Sequence, residues 1–334
     1  MAVAGRVSAG ARWNPSAIPS QAGKTIVVTG ANAGLGFFAS EQLARAGAAV
    51  VLACRNPSRA DAAAHAIRAR VPDAAVRTLT LDVSSLDSVR AASAELLDLE
   101  RIDGLVLNAG IVHPPRRRGL SVDGLELVLA TNYLGHFALT AQLLPALLRT
   151  PGSRVVTLGS MISRLMDSSL EDLPLAGGYQ PWRAYAQSKI AAQVFGFELD
   201  RRLRAAAAAS DADGAAASGG AAVPPVRTSA LVAHPGYSIG GRTPRVPGVN
   251  EPSRSKRFVD NLQAPFTQGK DRGAWPIVRA VADPAARGGQ YWGPRYLVKG
   301  EPRLHTPSAT SLDRAIAERV WRESEALTGT TFTI

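Results

Sequence analysis

Cysteine is nearly absent from the 334 residues. The single Cys54 excludes an intramolecular disulfide and any multi-cysteine metal site, and it suits a reducing cytoplasm. Long apolar runs are missing too. The longest uninterrupted one, around Ala48 to Cys54, falls far short of the roughly 18 residues a bilayer span takes, so no membrane partner is expected. The opening residues, Met1 to Trp13, mix Arg6 and Arg12 with small side chains and build no apolar middle of a secretory signal. Acid is in short supply: 27 acidic against 38 basic residues give a net charge of +11, which raises nucleic acid or an acidic ligand as partners. The arginines are scattered along the chain, however. The two tight clusters, Arg116-Arg117-Arg118 and Arg254 with Lys256 and Arg257, have no aromatic stacking platform. They read as solvated surface, and no nucleic-acid partner is expected. Charged residues make up 19% of the chain and hydrophobic ones 46%, enough to build a large core and to exclude disorder as the dominant state.

What is present is alternation. Short β-type apolar runs at Thr25 to Thr29, Ala49 to Cys54, Val76 to Leu81, Gly104 to Asn108, Arg154 to Leu158, Arg227 to Val232 and Gly289 to Trp292 predict seven strands. Between them, Leu35 to Ala46, Arg59 to Arg70, Leu86 to Leu97, Gly124 to Leu148 and Arg183 to Arg204 carry apolar residues at helical spacing. This order predicts an α/β fold, a parallel sheet covered by helices on both faces, in one domain over residues 1–334. Residues 205–225 lack large apolar side chains and read as a helix tail running into a flexible Ala/Gly-rich insertion. Residues 240–273, rich in Pro, Gly and Arg, read as a substrate lid or loop, and Leu312 to Leu327 as a last amphipathic helix.

The first strand runs into Gly30-Ala31-Asn32-Ala33-Gly34-Leu35-Gly36 and then directly into a helix. A dinucleotide site needs that order, because the turn takes backbone a Cβ would obstruct and the helix start offers unpaired N–H groups to a pyrophosphate. At the end of the second strand, where an acid would receive an adenosine ribose, stands Arg55. It either pairs with a 2′-phosphate, which favours NADP(H) over NAD(H), or is an ordinary exposed arginine. Asp82, before Val83, either accepts from an adenine amino group or caps the next helix. Asn108-Ala109-Gly110 ends the fourth strand with small residues that let a cofactor approach.

Tyr185 and Lys189 stand at i and i+4, on one helix face. A neighbouring cation favours phenolate and brings proton exchange into working range. Ser160 ends the fifth strand at the carboxyl edge of the sheet, placed either to bond a substrate oxygen or to cap a turn. Asn132 lies inside the long helix after strand four, where an amide is locally unfavourable and can hold a water linking Lys189 to solvent; His136 beside it reads as structural.

Taken together, these pieces resemble the short-chain dehydrogenase/reductase family: the glycine turn, Asp82-Val83, Leu107-Asn108-Ala109-Gly110, Asn132, Ser160, Tyr185-x-x-x-Lys189 and His234-Pro235-Gly236, in family order from Lys24 to Gly236. The resemblance implies a Rossmann-type, doubly wound fold and hydride exchange with a nicotinamide. It implies a tetrad of Asn132, Ser160, Tyr185 and Lys189, with Lys189 also on the nicotinamide ribose and Pro235-Gly236 on the cofactor. The long gap from Ser160 to Tyr185, with Ala53-Cys54-Arg55-Asn56 and Thr131 to Phe137, is similar to the retinol dehydrogenase and protochlorophyllide reductase branch, whose members mostly use NADP(H). One departure is Gly240, where the family usually carries a carboxamide-binding threonine; Ser238 is the available substitute. The expected activity is carbonyl–alcohol interconversion on a small molecule. The alternative is a cofactor-sensing protein without turnover, and homo-oligomerisation stays open.

Overall fold

The computed structural model describes residues 13–166, 168, 170–218 and 227–334, with the backbone alone at 17 and 212–218. Among the described residues ten strands are formed: β1 (Thr25–Thr29), β2 (Ala49–Cys54), β3 (Val76–Thr80), β4 (Gly104–Leu107), β5 (Arg154–Leu158), β6 (Ser229–Ala233), β7 (Ser238–Ile239), β8 (Gln268–Gly269), β9 (Tyr291–Pro294) and β10 (Pro302–Leu304). Eight of them build one sheet in the order β10-β9-β6-β5-β4-β1-β2-β3, parallel throughout except for β10. β7 and β8 pair separately. The chain leaves β1 first toward β2 and β3, then crosses back to β4 on its other side. The strand order therefore reverses between β1 and β4, and the carboxyl ends of these strands are where a sheet of this kind places its ligand crevice.

The helices are α1 (Gly34–Arg45), α2 (Pro57–Arg70), α3 (Leu86–Leu97), α4 (Leu127–Leu129), α5 (Gly135–Arg149), α6 (Pro181–Ser218), α7 (Arg254–Leu262), α8 (Lys270–Gly273), α9 (Trp275–Ala282), α10 (Ala309–Leu312) and α11 (Arg314–Thr328). They cover both faces of the sheet. On one face, Phe137 of α5, Phe195 of α6 and Trp321 of α11 pack as a ring cluster with centroids 5.3 to 5.8 Å apart. On the other, Phe37 and Phe38 of α1, Ile67 of α2 and Val278 of α9 close the core. The central strands are buried on both sides, which is why they read as unbroken apolar runs. Residues 127–149 form a nearly continuous helical column, interrupted by a π-type turn at Ala130–Leu134. By length and apolarity it meets the measure of a membrane span, but it lies almost wholly inside the core.

Two glycines make the packing possible. Gly30 sits at φ +63°, and a Cβ there would meet the Ala109 Cα at 2.8 Å. Gly135 starts α5 directly against the loop after β3, where a Cβ would fall 1.7 Å from the Val83 carbonyl oxygen.

The sheet has eight strands rather than the seven expected. β10 is a short antiparallel edge strand with only its proline buried, so it leaves no alternating pattern to read. β9 begins at Tyr291 and not Gly289, because Gly289 turns the chain at φ +73° and donates its N–H to Ala230. α6 continues through the alanine run to Ser218, as alanine's high helix propensity allows; residues 219–225 of the expected insertion lie outside the described residues. Residues 240–273 are not an open loop: they hold β8, α7 and α8.

Candidate active site

In the turn after β1 the Gly30 N–H donates to the Ala53 carbonyl at 2.8 Å, and the chain then enters α1 without a side-chain cap. Ala33 is the N-cap and supplies no side-chain hydrogen bond, whereas Asn56 caps α2 and Ser85 caps α3. The uncapped start leaves N–H groups of the Gly34-Leu35-Gly36 turn directed at the crevice, which fits a pyrophosphate. The turn is braced from beneath. Asn108 donates its side-chain amide to the Thr29 carbonyl at 2.7 Å, and the Thr29 hydroxyl accepts from the N–H groups of Asn108 and Ala109, both at 2.9 Å. His136 bonds the same hydroxyl at 2.9 Å. Burial pushes its imidazole down to about 3, so it stays neutral and holds the turn. Asn108 and Ala109 thus brace the β1 turn.

One residue at this turn was not legible beforehand. Lys270 opens α8, and its Nζ lies 3.6 Å from where a Cβ on Gly34 would stand. Burial lowers its pKa, as does the nearby Lys256, so the ammonium is poised to gain from an anion. No sequence pattern joins positions 34 and 270; packing of α8 against α1, where Gln42 donates to the Asp271 carbonyl, brings them together.

At the far end of the crevice Cys54 is buried, and burial raises its thiol to about 11, partly offset by backbone amides of Ala31 and Asn32. Arg55 is exposed, with Nε 3.9 Å from an Asp82 carboxylate oxygen. Asp82 turns its other oxygen into its own loop, accepting from the N–H of Ser84 at 2.9 Å and its hydroxyl at 2.6 Å. It does not cap α3; Ser85 does.

Ser160 and Tyr185 meet. The serine hydroxyl acts on the phenol, drawing its pKa down, and accepts from the Ile162 N–H at 3.2 Å as the cap of a short 3-10 turn. Burial raises the Tyr185 pKa above its ordinary value, with Ser160 pulling the other way. The cation-driven lowering expected of Lys189 is not what dominates here. Lys189 is buried and donates Nζ to the Leu158 carbonyl at 3.1 Å, and burial brings its own pKa down to about 8. Asn132 packs beside it: the same virtual Cβ on Gly110 would meet Asn132 Oδ1 at 2.9 Å and Lys189 Nζ at 3.6 Å. The Asn132 amide is fully engaged. It accepts from the Ile111 N–H at 2.6 Å and donates to the Ile111 carbonyl at 3.1 Å and Ser188 Oγ at 2.9 Å. It fastens the loop after β4 to α6, which leaves little of the amide for the expected water.

Gln193 was also missed. Two turns beyond Tyr185 on α6, it donates to the Ser160 carbonyl and to Ser163 Oγ, both at 2.9 Å, fixing the serine's backbone. Trp182 stands exposed at the mouth, edge-on to Tyr185 with ring centroids 6.0 Å apart. Pro235 and Gly236 follow β6 at the same sheet edge. Gly236 takes φ +65° against the Val298 carbonyl, and Ser238 Oγ is tied to the Pro235 carbonyl at 2.9 Å. Gly240 lies farther on, in a 3-10 turn. Among the described residues no cluster of His, Cys, Asp or Glu suits a metal ion.

Comparison with known proteins agrees with this geometry. The short chain dehydrogenase family profile matches residues 24–206. The chain is 36% identical to polyprenol dehydrogenase of Mus musculus over 322 residues, covering 95% of this chain and 87% of that protein. It is 31% identical to retinol dehydrogenase 13 of Homo sapiens, covering 97% and 89%. A crystal structure of an uncharacterized protein from Mycobacterium Paratuberculosis superposes with a TM-score of 0.74 at 35% identity, covering 97% of this chain and all of that one. With the β1 turn, the Ser160–Tyr185 contact and the buried Lys189 in family order, the chain belongs to the short-chain dehydrogenase/reductase family, on its retinol dehydrogenase-like branch, whose members are oxidoreductases of alcohol and carbonyl groups.

Proposed function

We propose that the chain is an NADP(H)-dependent oxidoreductase that interconverts a carbonyl and an alcohol, with Tyr185 as general acid and base. The observation that carries this reading is a buried Tyr185 phenol on which the Ser160 hydroxyl acts, with the buried Lys189 one turn along the same helix. The residues around the crevice fit a nicotinamide dinucleotide: the uncapped start of α1 and Lys270 would hold the pyrophosphate, and Gly110, Lys189 and Pro235-Gly236 would line the nicotinamide end. When bound, that group supplies the hydride chemistry. The chain's own residues do the rest. Ser160 Oγ and Tyr185 Oη together bind the substrate oxygen. Because burial keeps the phenol protonated at neutral pH, Tyr185 is set to give its proton to the oxygen in reduction and to take it back in oxidation. Lys189 places its ammonium next to Gly110, where it would hold the nicotinamide ribose, and Asn132 keeps the floor of the site rigid.

Arg55 favours NADP(H): it stands exposed at the ribose end, and the nearest carboxylate, Asp82, is largely engaged with Ser84. The names of the retinol and polyprenol dehydrogenases support an apolar alcohol, or its carbonyl, as substrate. A panel of aldehydes and ketones followed at the NADPH absorbance tests the reading. Tyr185→Phe should keep cofactor binding and lose turnover about a hundredfold or more. Comparable turnover in the variant would refute the acid–base role, and silence of the unmodified protein across the panel would favour cofactor sensing.

A further inference from the structure

We propose that helix α7 docks the protein on an anionic lipid surface. The helix is built inside out. Its nine residues, capped by Ser253, include one buried side chain, and that is an aspartate: Asp260 is 6% exposed, accepts from the Gly241 N–H at 2.7 Å and pairs with Lys256 at 3.2 Å. The apolar residues point the other way. Phe258, Val259 and Leu262 are 68%, 53% and 69% exposed, and Phe266, just beyond the helix, is 69% exposed. Phe258 and Val259 stand four and three residues before Leu262, the two spacings that share a helical face. A surface helix ordinarily turns that face to the core; α7 is fastened by its polar side and presents the apolar side outward.

The charge around this face selects its occupant. Arg254 is exposed and Arg257 half-buried on the same helix, and Lys299 reaches the Ala264 carbonyl at 3.3 Å on the turn that follows. The helix's one acid is neutralised by Lys256, and the whole chain carries +11. Large apolar side chains in a cationic frame are the composition of a helix that lies in a bilayer interface, with the rings in the acyl boundary and the cations on anionic headgroups. A second copy fits less well, because a two-fold contact would set these cations against themselves. The basic cluster of Arg254, Lys256 and Arg257, otherwise only solvated surface, gains a function here. Docking of this kind needs no spanning segment, so the scarcity of long apolar runs does not oppose it. The face also adjoins the candidate site: Asp260 binds the 3-10 turn after β7, and Tyr237 Oη donates to Gln263 at 3.2 Å.

The full chain is to be sedimented with phosphatidylcholine vesicles, with and without phosphatidylglycerol. Retention is expected on the anionic vesicles and little on the neutral ones. Phe258→Ser with Leu262→Ser should lower retention at least about tenfold, and Arg254→Gln with Arg257→Gln about tenfold, each with unchanged circular dichroism. If the serine pair fails to fold, the glutamine pair carries the test. Absence of retention on anionic vesicles, or variants that sediment like the unmodified protein, would overturn the proposal. So would a dimer in sedimentation velocity that Phe258→Ser with Leu262→Ser dissolves, since the face would then belong to a second copy.

Discussion

Burial of Lys189 leaves a pH signature that can be measured without any substrate. Its ammonium titrates at 10.5 in an unconstrained chain and at about 8 in the folded one, with burial as the cause. Between those two values the unfolded state binds more protons than the folded state, so stability rises with pH across that window. The whole gap corresponds to roughly 3 kcal/mol, and about 2 kcal/mol of it develops between about pH 7 and pH 9.5. Lys189→Met keeps the length and apolar stem of the side chain and removes the titration. Loss of the bond to the Leu158 carbonyl adds an offset that does not vary with pH. Urea unfolding of the cofactor-free protein and of the variant over this range gives two curves, and the wild type should gain about 2 kcal/mol on the variant as pH rises. The difference is the readout because other groups titrate as well: burial raises the phenols of Tyr133 and Tyr291 and lowers Lys24 and Lys270 in both proteins. Parallel curves would refute the claim that Lys189 is charged at a cost inside the core.

Other perturbations test the remaining parts of the site. Arg55→Ala should weaken NADP(H) binding about tenfold and leave NAD(H) unchanged; equal weakening of both, by fluorescence titration, would count against 2′-phosphate recognition. Lys270→Ala should weaken both dinucleotides about tenfold while flattening the salt dependence of binding. Gly135→Ala places a Cβ against the Val83 carbonyl and should cost about 3 kcal/mol in urea unfolding; a loss below the scatter of the measurement would show that α5 moves freely.

The fold was legible where burial is two-sided. β1, β2 and β5 match the expected ranges residue for residue, since strands sealed on both faces carry near-continuous apolar runs, with polar side chains confined to a few positions such as Thr29 and Thr157. Pattern reading failed where one neighbour or one turn decides the structure. β10 is an edge strand with little to bury, β9 starts where Gly289 releases the chain, and α7 inverts the usual relation between side-chain polarity and burial. In the candidate site, Ser160, Tyr185 and Lys189 stood out because strand ends and helical spacing place them. Lys270, Gln193 and the Thr29–His136 pair did not, because they reach the site only through tertiary packing. The sequence also suggested a depressed phenol and a water-bearing amide. The structure has a phenol raised by burial and an amide already committed to Ile111 and Ser188.

The bare beginning of α1 carries a consequence for handling the protein. Its neighbours α2 and α3 are closed by their own side chains, while the first turn of α1 ends on an alanine. On the proposed function, a phosphate-bearing molecule seated there would supply the cap that the chain itself does not encode. Survival against heat and proteases would then track nucleotide supply, each hundredfold excess over the dissociation constant adding about 2.7 kcal/mol.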